Sequence, residues 1–380
     1  MNNLFRILSL MTMKNRVVYL IIVLVGAVNY SCKENSDPIV PDLENPVYDD
    51  TRYELDYAGF PPPNFNDNEL FTVEGVKLGR LLFYETKLSK DNSISCASCH
   101  KQEFGFSDPD QFSSGVDGTL GGRQAMSTFN TAWHRNEFFW DGRAHLLRDQ
   151  ALMPIEDPLE MKESLENVID KLELDIGYKH QFTRAFGDDE ITEERLSLAL
   201  EQFMNSIVSN RSKYDKYKRG EAQLSESETR GMELYFTEFN PGFPEISGPD
   251  CVHCHGGSNF DNTHYVNNGL DEEADQDDIG REKVTGDPDD RAKFKIPSLR
   301  NIEVTAPYMH DGRFTTLEEV IDHYDHGIKK SPTLDPALEY TTYTGLMLSE
   351  QDKADLIAFL KTLTDYEMMA DERYSDPFGE

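Results

Sequence analysis

The sequence predicts an all-α fold, because helix-start signals recur along the chain whereas alternating strand patterns are scarce. Residues 225–228 and 316–319 both have the form of a capping box, and residues 349–352 are a close version with Asp in place of Glu. Each opens a stretch whose apolar residues recur at helical spacing. A further amphipathic helix is predicted to start near Thr192. Its apolar face consists of Leu196, Leu200, Phe203 and Ile207.

The pentapeptide Cys-Xaa-Xaa-Cys-His occurs twice, at residues 96–100 and 251–255. In such a unit two thiols can add across the vinyl groups of a haem, and the histidine can ligate its iron. The alternatives are a zinc knuckle, a redox dithiol and a disulfide pair. A zinc site would normally pool ligands from two neighbouring pairs, but these pairs lie far apart in the sequence. A redox dithiol has no need of the adjacent histidine.

We therefore expect two covalently bound c-type haems. The expected attachment residues are Cys96, Cys99 and His100 for the first haem, and Cys251, Cys254 and His255 for the second. His100 and His255 would be the proximal iron ligands. Helices joined by long polar loops around such a motif are typical of cytochrome c domains, in which the haem fills much of the core.

The expected organisation is two cytochrome c-like domains, each enclosing one haem. Residues 51–218 would form the N-terminal haem domain and residues 219–380 the C-terminal one. The boundary is predicted within the Lys/Arg/Ser-rich stretch at residues 214–224.

The N-terminal residues 1–31 have the features of a signal peptide. Lys14 and Arg16 precede the apolar run at residues 17–28, which is too short to span a bilayer but suits the apolar part of a signal. Cys32 comes after this run and is directly preceded by a small residue, Ser31. This arrangement favours lipidation of Cys32 over an ordinary secretory signal with an incidental thiol. The polar, proline-containing residues 32–50 would form a flexible tether. The protein is thus expected in the cell envelope, facing the periplasm or the cell surface, and bound to the membrane through this anchor only.

The chain is strongly acidic, with a formal net charge of −33. Such a surface repels nucleic acid and anionic lipid headgroups, so neither is an expected partner. It would attract a basic protein such as a small cationic cytochrome, although solubility alone also accounts for the charge.

Further motifs resemble the bacterial dihaem cytochrome c peroxidases. They are the residues leading from Leu88 into the first pentapeptide, and the runs at residues 139–143, 297–301 and 305–312. The similarity extends from about Leu70 to Leu363. It implies one peroxide-reactive haem and one electron-transfer haem, and the reduction of hydrogen peroxide to water with electrons from a small redox protein. A homodimer is a further expectation.

Three residues acquire roles from this resemblance. Trp140 matches the tryptophan between the haems, and Gln150 and Glu160 match residues above the N-terminal haem where peroxide binds. Cleavage of an O–O bond needs a group that takes a proton and returns it, and a poorly solvated carboxylate suits that role. We expect Glu160 to be the general acid/base and Gln150 to orient peroxide. Without the resemblance they would be ordinary surface residues, and Trp140 a core aromatic.

The sequence departs from the family pattern near the first haem. Many members have a histidine there that ligates the resting haem, but residues 115–118 contain none. We therefore expect an open or water-bound sixth position at the first haem.

A second departure concerns the other haem. Tyr324 stands where peroxidases of the family have an axial methionine, and a tyrosine at this position is the ligand in the related dihaem enzyme that matures the cofactor of methylamine dehydrogenase. Helical spacing from Leu317 places Tyr324 on the inward face, with His323 and His326 off it. We expect Tyr324 to ligate the second iron. Met309, Met347 and a buried core tyrosine are the alternatives.

The resemblance also implies a calcium ion between the haems. Its ligands would be the side chain of Gln124, where the family usually has Asn, and the carbonyls of Thr305 and Pro307.

Two other functions remain open at this point. A dihaem oxidase would use a high-valent iron state to oxidise a protein or small-molecule substrate, and Tyr324 favours it. A dihaem electron carrier would perform no catalysis, and the presence of both Gln150 and Glu160 argues against it.

Overall fold

The computed structural model describes residues 46–63, 71–134 and 137–379. The signal peptide, Cys32 and the tether up to residue 45 lie outside these ranges, so those predictions stay untested. No helix within the described ranges is long and apolar enough to cross a membrane.

The fold is mostly helical, as the sequence predicts. The α-helices of the first half are α1 (Val73–Tyr84), α2 (Cys96–Cys99), α3 (Leu147–Glu156), α4 (Leu165–Glu173), α5 (Ile176–Phe186), α6 (Glu193–Ser206) and α7 (Lys213–Lys218). Those of the second half are α8 (Glu226–Phe236), α9 (Cys251–Cys254), α10 (Glu282–Thr285), α11 (Leu317–Asp322), α12 (Thr341–Thr344), α13 (Glu350–Lys361) and α14 (Tyr366–Met369). A two-residue antiparallel pair, β1 (Tyr265–Val266) and β2 (Phe294–Lys295), forms the described sheet.

The helix starts predicted from the sequence are confirmed. The side chains of Ser225, Thr316 and Ser349 each accept a hydrogen bond from the backbone three residues later, in α8, α11 and α13 respectively. Thr192 caps α6 in the same way. These caps satisfy backbone N–H groups that a helix start would otherwise leave unpaired.

The longest helices form two closely crossing pairs. In the first half α1 packs against α6, and a Cβ placed on Gly79 would lie 1.9 Å from the carbonyl oxygen of Ala199. In the second half α8 packs against α13, and a Cβ on Gly231 would lie 1.8 Å from the carbonyl oxygen of Asp355. Each crossing therefore requires glycine.

An aromatic pair follows each crossing by one helical turn. The rings of Phe83 and Phe203 are 5.2 Å apart, and those of Tyr235 and Phe359 are also 5.2 Å apart. The two halves thus repeat one arrangement of glycine and aromatic residues. The sequence analysis missed this repeat.

The buried apolar residues form two large clusters, one from helices α1 to α6 and one from α7 to α13. The chain end returns to the first cluster, where Met368 and Tyr374 are buried. The Tyr374 hydroxyl donates to the Ser206 carbonyl at 2.9 Å, and the Gln102 amide donates to the Met368 carbonyl at 3.0 Å. Residues after α13 therefore complete the core of the first half.

Candidate functional site

The first Cys-Xaa-Xaa-Cys-His motif forms a single helical turn, α2, followed by His100. The hydroxyl of Ser98 accepts from the backbone N–H of Ser95 at 3.0 Å, which fixes the start of the turn. Cys96 and Cys99 are free thiols. Both thiols and the His100 imidazole border one cavity of about 870 Å³.

The His100 ring is held by one nitrogen. Its Nδ1 donates to the Phe106 carbonyl at 3.1 Å, which leaves Nε2 without a proton and available to a metal. Burial lowers the pKa of His100, so the ring is neutral, as a ligand must be.

The second motif repeats this geometry at α9. Nδ1 of His255 lies 3.0 Å from the Pro297 carbonyl, and burial lowers the pKa of His255 to about 4. Tyr235 donates its hydroxyl to the His255 carbonyl at 2.5 Å. Cys251, Cys254 and His255 border a second, narrower cavity of about 260 Å³.

These residues fit a haem better than a zinc ion. Burial raises the pKa of Cys96 and Cys251 to about 12, so both are thiols, the groups that add across the vinyl groups of a haem. Among the described residues no group of three or more His, Cys, Asp or Glu side chains is placed to hold a metal ion. Each cavity instead offers two thiols and one imidazole, the set that attaches and ligates a haem.

Gln150 and Glu160 both border the first cavity. Gln150 lies on α3, and Glu160 lies in the loop that follows this helix. Burial raises the pKa of Glu160, and the nearby Asp157 raises it further, while Arg143 opposes them. The cavity therefore contains a carboxyl group whose proton is held unusually firmly.

The segment without a histidine packs directly against the Glu160 loop. The N–H of Val116 donates to the Glu160 carbonyl at 2.9 Å. A Cβ on Gly115 would lie 2.1 Å from the Leu159 carbonyl oxygen, so only glycine permits this approach. Residues 115–118 thus position Glu160, a role that the sequence analysis missed.

One histidine besides His100 borders the first cavity within the described ranges. This is His134, and it borders the second cavity as well. Burial lowers the pKa of His134 well below its usual value, and its Nδ1 has no hydrogen-bond partner.

Trp140 lies in the wall between the two cavities and borders both of them. Its indole N–H donates to the Gln124 carbonyl at 2.8 Å, and its own carbonyl accepts from the Lys295 N–H at 2.7 Å. Trp140 therefore lies between the two cavities, and its role between two haems stays a prediction.

Tyr324 borders the second cavity, and its hydroxyl group lies near Asn268. The Asn268 amide lies 3.3 Å from the Tyr324 hydroxyl and 3.4 Å from the Met309 sulfur. Burial raises the pKa of Tyr324 to about 12. Tyr324 and Met309 are thus adjacent ligand candidates, whereas Met347 is 45% exposed and does not border the cavity.

The prediction for the neighbouring histidines is half wrong. His326 is exposed, but His323 is buried and its Nε2 lies 3.0 Å from the Asn268 carbonyl. The reason is local: α11 continues as a π-helix over His323–Gly327, which has more residues per turn and changes which side chains face inward.

The predicted calcium residues come together at the second cavity. Gln124, Thr305 and Pro307 all border it. The Gln124 side chain is buried, and its amide group donates to Ser107 Oγ at 2.8 Å and to the Asp108 carbonyl at 3.3 Å. The side-chain carbonyl oxygen of Gln124 is thus the end of the amide that makes no such hydrogen bond.

The fold and these cavities define a helical protein with two cavities, each bordered by one Cys-Xaa-Xaa-Cys-His turn. The family model for the di-haem cytochrome c peroxidases matches residues 73–223. The methylamine utilization protein MauG of Methylophilus methylotrophus is 33% identical over 295 residues, which are 77% of this chain and 83% of that protein. The cytochrome c551 peroxidase of Nitrosomonas europaea is 34% identical over 297 residues, which are 76% and 79% of the two chains.

A solved structure is also similar. A MauG-like protein associated with microbial copper homeostasis superposes with a TM-score of 0.77 at 36% identity, covering 86% of this chain and 100% of that one. The chain belongs to the di-haem cytochrome c peroxidase family and is an oxidoreductase.

Proposed function

We propose that this chain is a dihaem c-type peroxidase that reduces hydrogen peroxide to water with electrons from a small redox protein. The observation that carries the proposal is Glu160, a carboxyl group with a raised pKa on the wall of the cavity that the first haem-binding motif also borders. An electron carrier needs no such group.

Glu160 would act on the proton of bound peroxide. The haem that Cys96, Cys99 and His100 would hold would supply the iron and the electrons for cleavage of the O–O bond. The Glu160 carboxylate takes a proton from one peroxide oxygen and returns it to the other as water leaves. Gln150, on α3, orients the peroxide by hydrogen bonding.

Each half would be a haem domain, with residues 51–218 forming the first and residues 219–380 the second. The repeated glycine-aromatic helix crossing supports this division, because each copy stands beside one Cys-Xaa-Xaa-Cys-His turn. Both cysteines of each turn would bind their haem covalently.

Covalent attachment implies export, since bacteria load such haems outside the cytoplasm. The signal peptide and lipidation at Cys32 belong to the same proposal. Labelling with palmitate that disappears in Cys32→Ala would support the anchor. Labelling that persists in this variant would remove it.

Calcium between the haems is a further part of the proposal. It is supported by Gln124, Thr305 and Pro307 meeting at one cavity and by the unengaged oxygen of Gln124.

A second candidate function is a dihaem oxidase that acts on a protein or small-molecule substrate. The observation that favours it is Tyr324 at the second cavity, because a phenolate ligand stabilises the oxidised states of iron. MauG, a relative of this chain, stands for this branch.

The test is peroxide turnover by the purified holoprotein with a panel of reduced donors, including a cationic cytochrome c and a small organic dye. Turnover with the cytochrome supports the peroxidase. Peroxide consumption with the organic substrate alone supports the oxidase. Reversible reduction of both haems without peroxide consumption would leave only an electron carrier.

A haem stain after denaturing electrophoresis tests the attachment. Covalent attachment predicts that haem stays on the wild-type chain. It also predicts that the stain falls by about half when both cysteines of one turn are replaced, Cys96 with Cys99 or Cys251 with Cys254, by alanine. A stain lost on denaturation of the wild type would contradict it.

A further inference from the structure

Lys295 is a buried cation in the wall that separates the two cavities. Its side chain is 4% exposed, and the residue borders both cavities. Its ammonium donates to the Glu137 carbonyl at 2.6 Å, and its backbone N–H donates to the Trp140 carbonyl at 2.7 Å. Lys295 is thus fixed at both ends next to Trp140.

Within the described residues this ammonium forms no ion pair. Burial lowers the pKa of Lys295 to about 8, while the charges of Asp261 and Glu137 oppose that shift. The amine is therefore mostly protonated at neutral pH. A buried charge without a contacting counter-charge costs stability.

Few other groups near Lys295 offset the cost of burying its charge. The ammonium lies 5.3 Å from the centre of the Phe138 ring, and His134 stacks on the same ring at 5.9 Å. His134 is neutral and its Nδ1 has no partner. The wall therefore holds one positive charge without a contacting counter-charge and one polar atom without a hydrogen-bond partner, on two residues that each border both cavities.

We infer that Lys295 sets the electron affinity of both haem sites by placing one positive charge between them. This inference deepens the proposed function, because it concerns the electron exchange across Trp140 that a dihaem peroxidase needs. A positive charge stabilises the reduced form of a nearby redox centre, and the effect is large where water is excluded. One lysine shared by both cavities acts on the two haems together.

Lys295→Met tests the inference in the holoprotein, with Lys295→Gln as a second neutral variant. Each should lower the equilibrium constant for reduction of both haems, by about tenfold. The measurement is a spectroelectrochemical titration of each haem. Lys293→Met is the matched control, because it removes the same charge two residues away in the sequence. The Lys293 side chain pairs with Asp290 at 3.6 Å and borders neither cavity.

A variant of opposite sign separates charge from packing. Asp261→Asn removes a negative charge that acts on Lys295, so it should raise the reduction constants of the haems. Because Lys295→Met and Asp261→Asn move the constants in opposite directions, a common loss of packing cannot produce both results.

Three results would overturn the inference: reduction constants in Lys295→Met equal to those in Lys293→Met, a fall confined to one haem, or a fall in Asp261→Asn. These readings do not depend on turnover. If the variants show the expected shifts but the wild-type protein consumes no peroxide, the proposed function is rejected and this inference stays intact.

Discussion

The two cavities proposed to bind haem are alike on the histidine side and different on the opposite side. Both place a one-turn Cys-Xaa-Xaa-Cys helix at the edge and hold the histidine by Nδ1, at 3.1 Å in the first cavity and 3.0 Å in the second. Opposite this shared part, the first cavity has Gln150 and Glu160, whereas the second has Tyr324 and Met309.

This difference distinguishes the part of each cavity that would hold the haem from the part that would act in its chemistry. The helix crossing, the attachment turn and the histidine contact are repeated because each must hold the same group. The opposite walls differ: the first cavity has a carboxyl group, Glu160, that would act on protons, and the second has Tyr324 and Met309, which would ligate the iron. The same fold can therefore support two chemical roles.

The largest expected effect comes from removing the acid of the first cavity. Glu160→Gln should lower peroxide turnover by about a hundredfold or more, since the amide cannot take up and return a proton. Steady-state peroxide consumption measures this. Glu156→Gln, on an exposed position of α3, is the matched control. Near-normal turnover in Glu160→Gln would remove the functional contrast between the cavities.

The likeness of the two halves is tested by their glycines. Gly79→Ala and Gly231→Ala each force a Cβ against a carbonyl oxygen, so each should lower the free energy of unfolding by about 2–3 kcal/mol. Denaturant titration of the holoprotein measures the loss. Gly242→Ala is the control, because its Cβ would meet nothing closer than 3.6 Å. A large effect at one glycine only would show that the halves are not built alike.

The variant Tyr324→Phe tests whether Tyr324 ligates the iron of the second haem. Loss of the phenol oxygen should change the absorption spectrum of the second haem and leave that of the first unchanged, because Tyr324 borders only the second cavity. Tyr343→Phe, at a side chain that is 76% exposed, is the control. An unchanged spectrum in Tyr324→Phe would show that Tyr324 is a core residue, and Met309 would then be the next ligand candidate.

The smallest effect concerns stability and pH. The pKa of Glu160 is raised in the folded state by burial, so the unfolded chain releases this proton at lower pH. Stability therefore falls as the pH rises from the ordinary carboxyl pKa to the raised one. Glu160→Gln lacks this loss and should gain stability relative to the wild type between about pH 4 and about pH 7. Denaturant titrations at the two pH values measure it, and a pH-independent difference would contradict it.

Much of the fold was predictable because its signals are local. A capping box such as that at Ser225 lies within four residues, and each haem motif lies within five. The family resemblance added Trp140, Gln150 and Glu160, which the structure places at the cavities, although their roles stay predictions.

The remaining features depend on residues far apart in the chain. Gly79 matters only because Ala199 crosses it, and Lys295 reads as a surface lysine until its position beside Trp140 is known. The π-helix over His323–Gly327 changes the facing of side chains in a way that regular helical spacing does not predict.

The return of the chain end to the first half has a consequence for biosynthesis. Gln102, two residues beyond His100, is tied to carbonyls at Met368 and Asp371, and Tyr374 fills the first core. A chain is synthesised from its N-terminus, so the half that emerges first is the last to be finished. A chain that ended after α13 would lack these contacts, so we expect truncation there to weaken the first half more than the second.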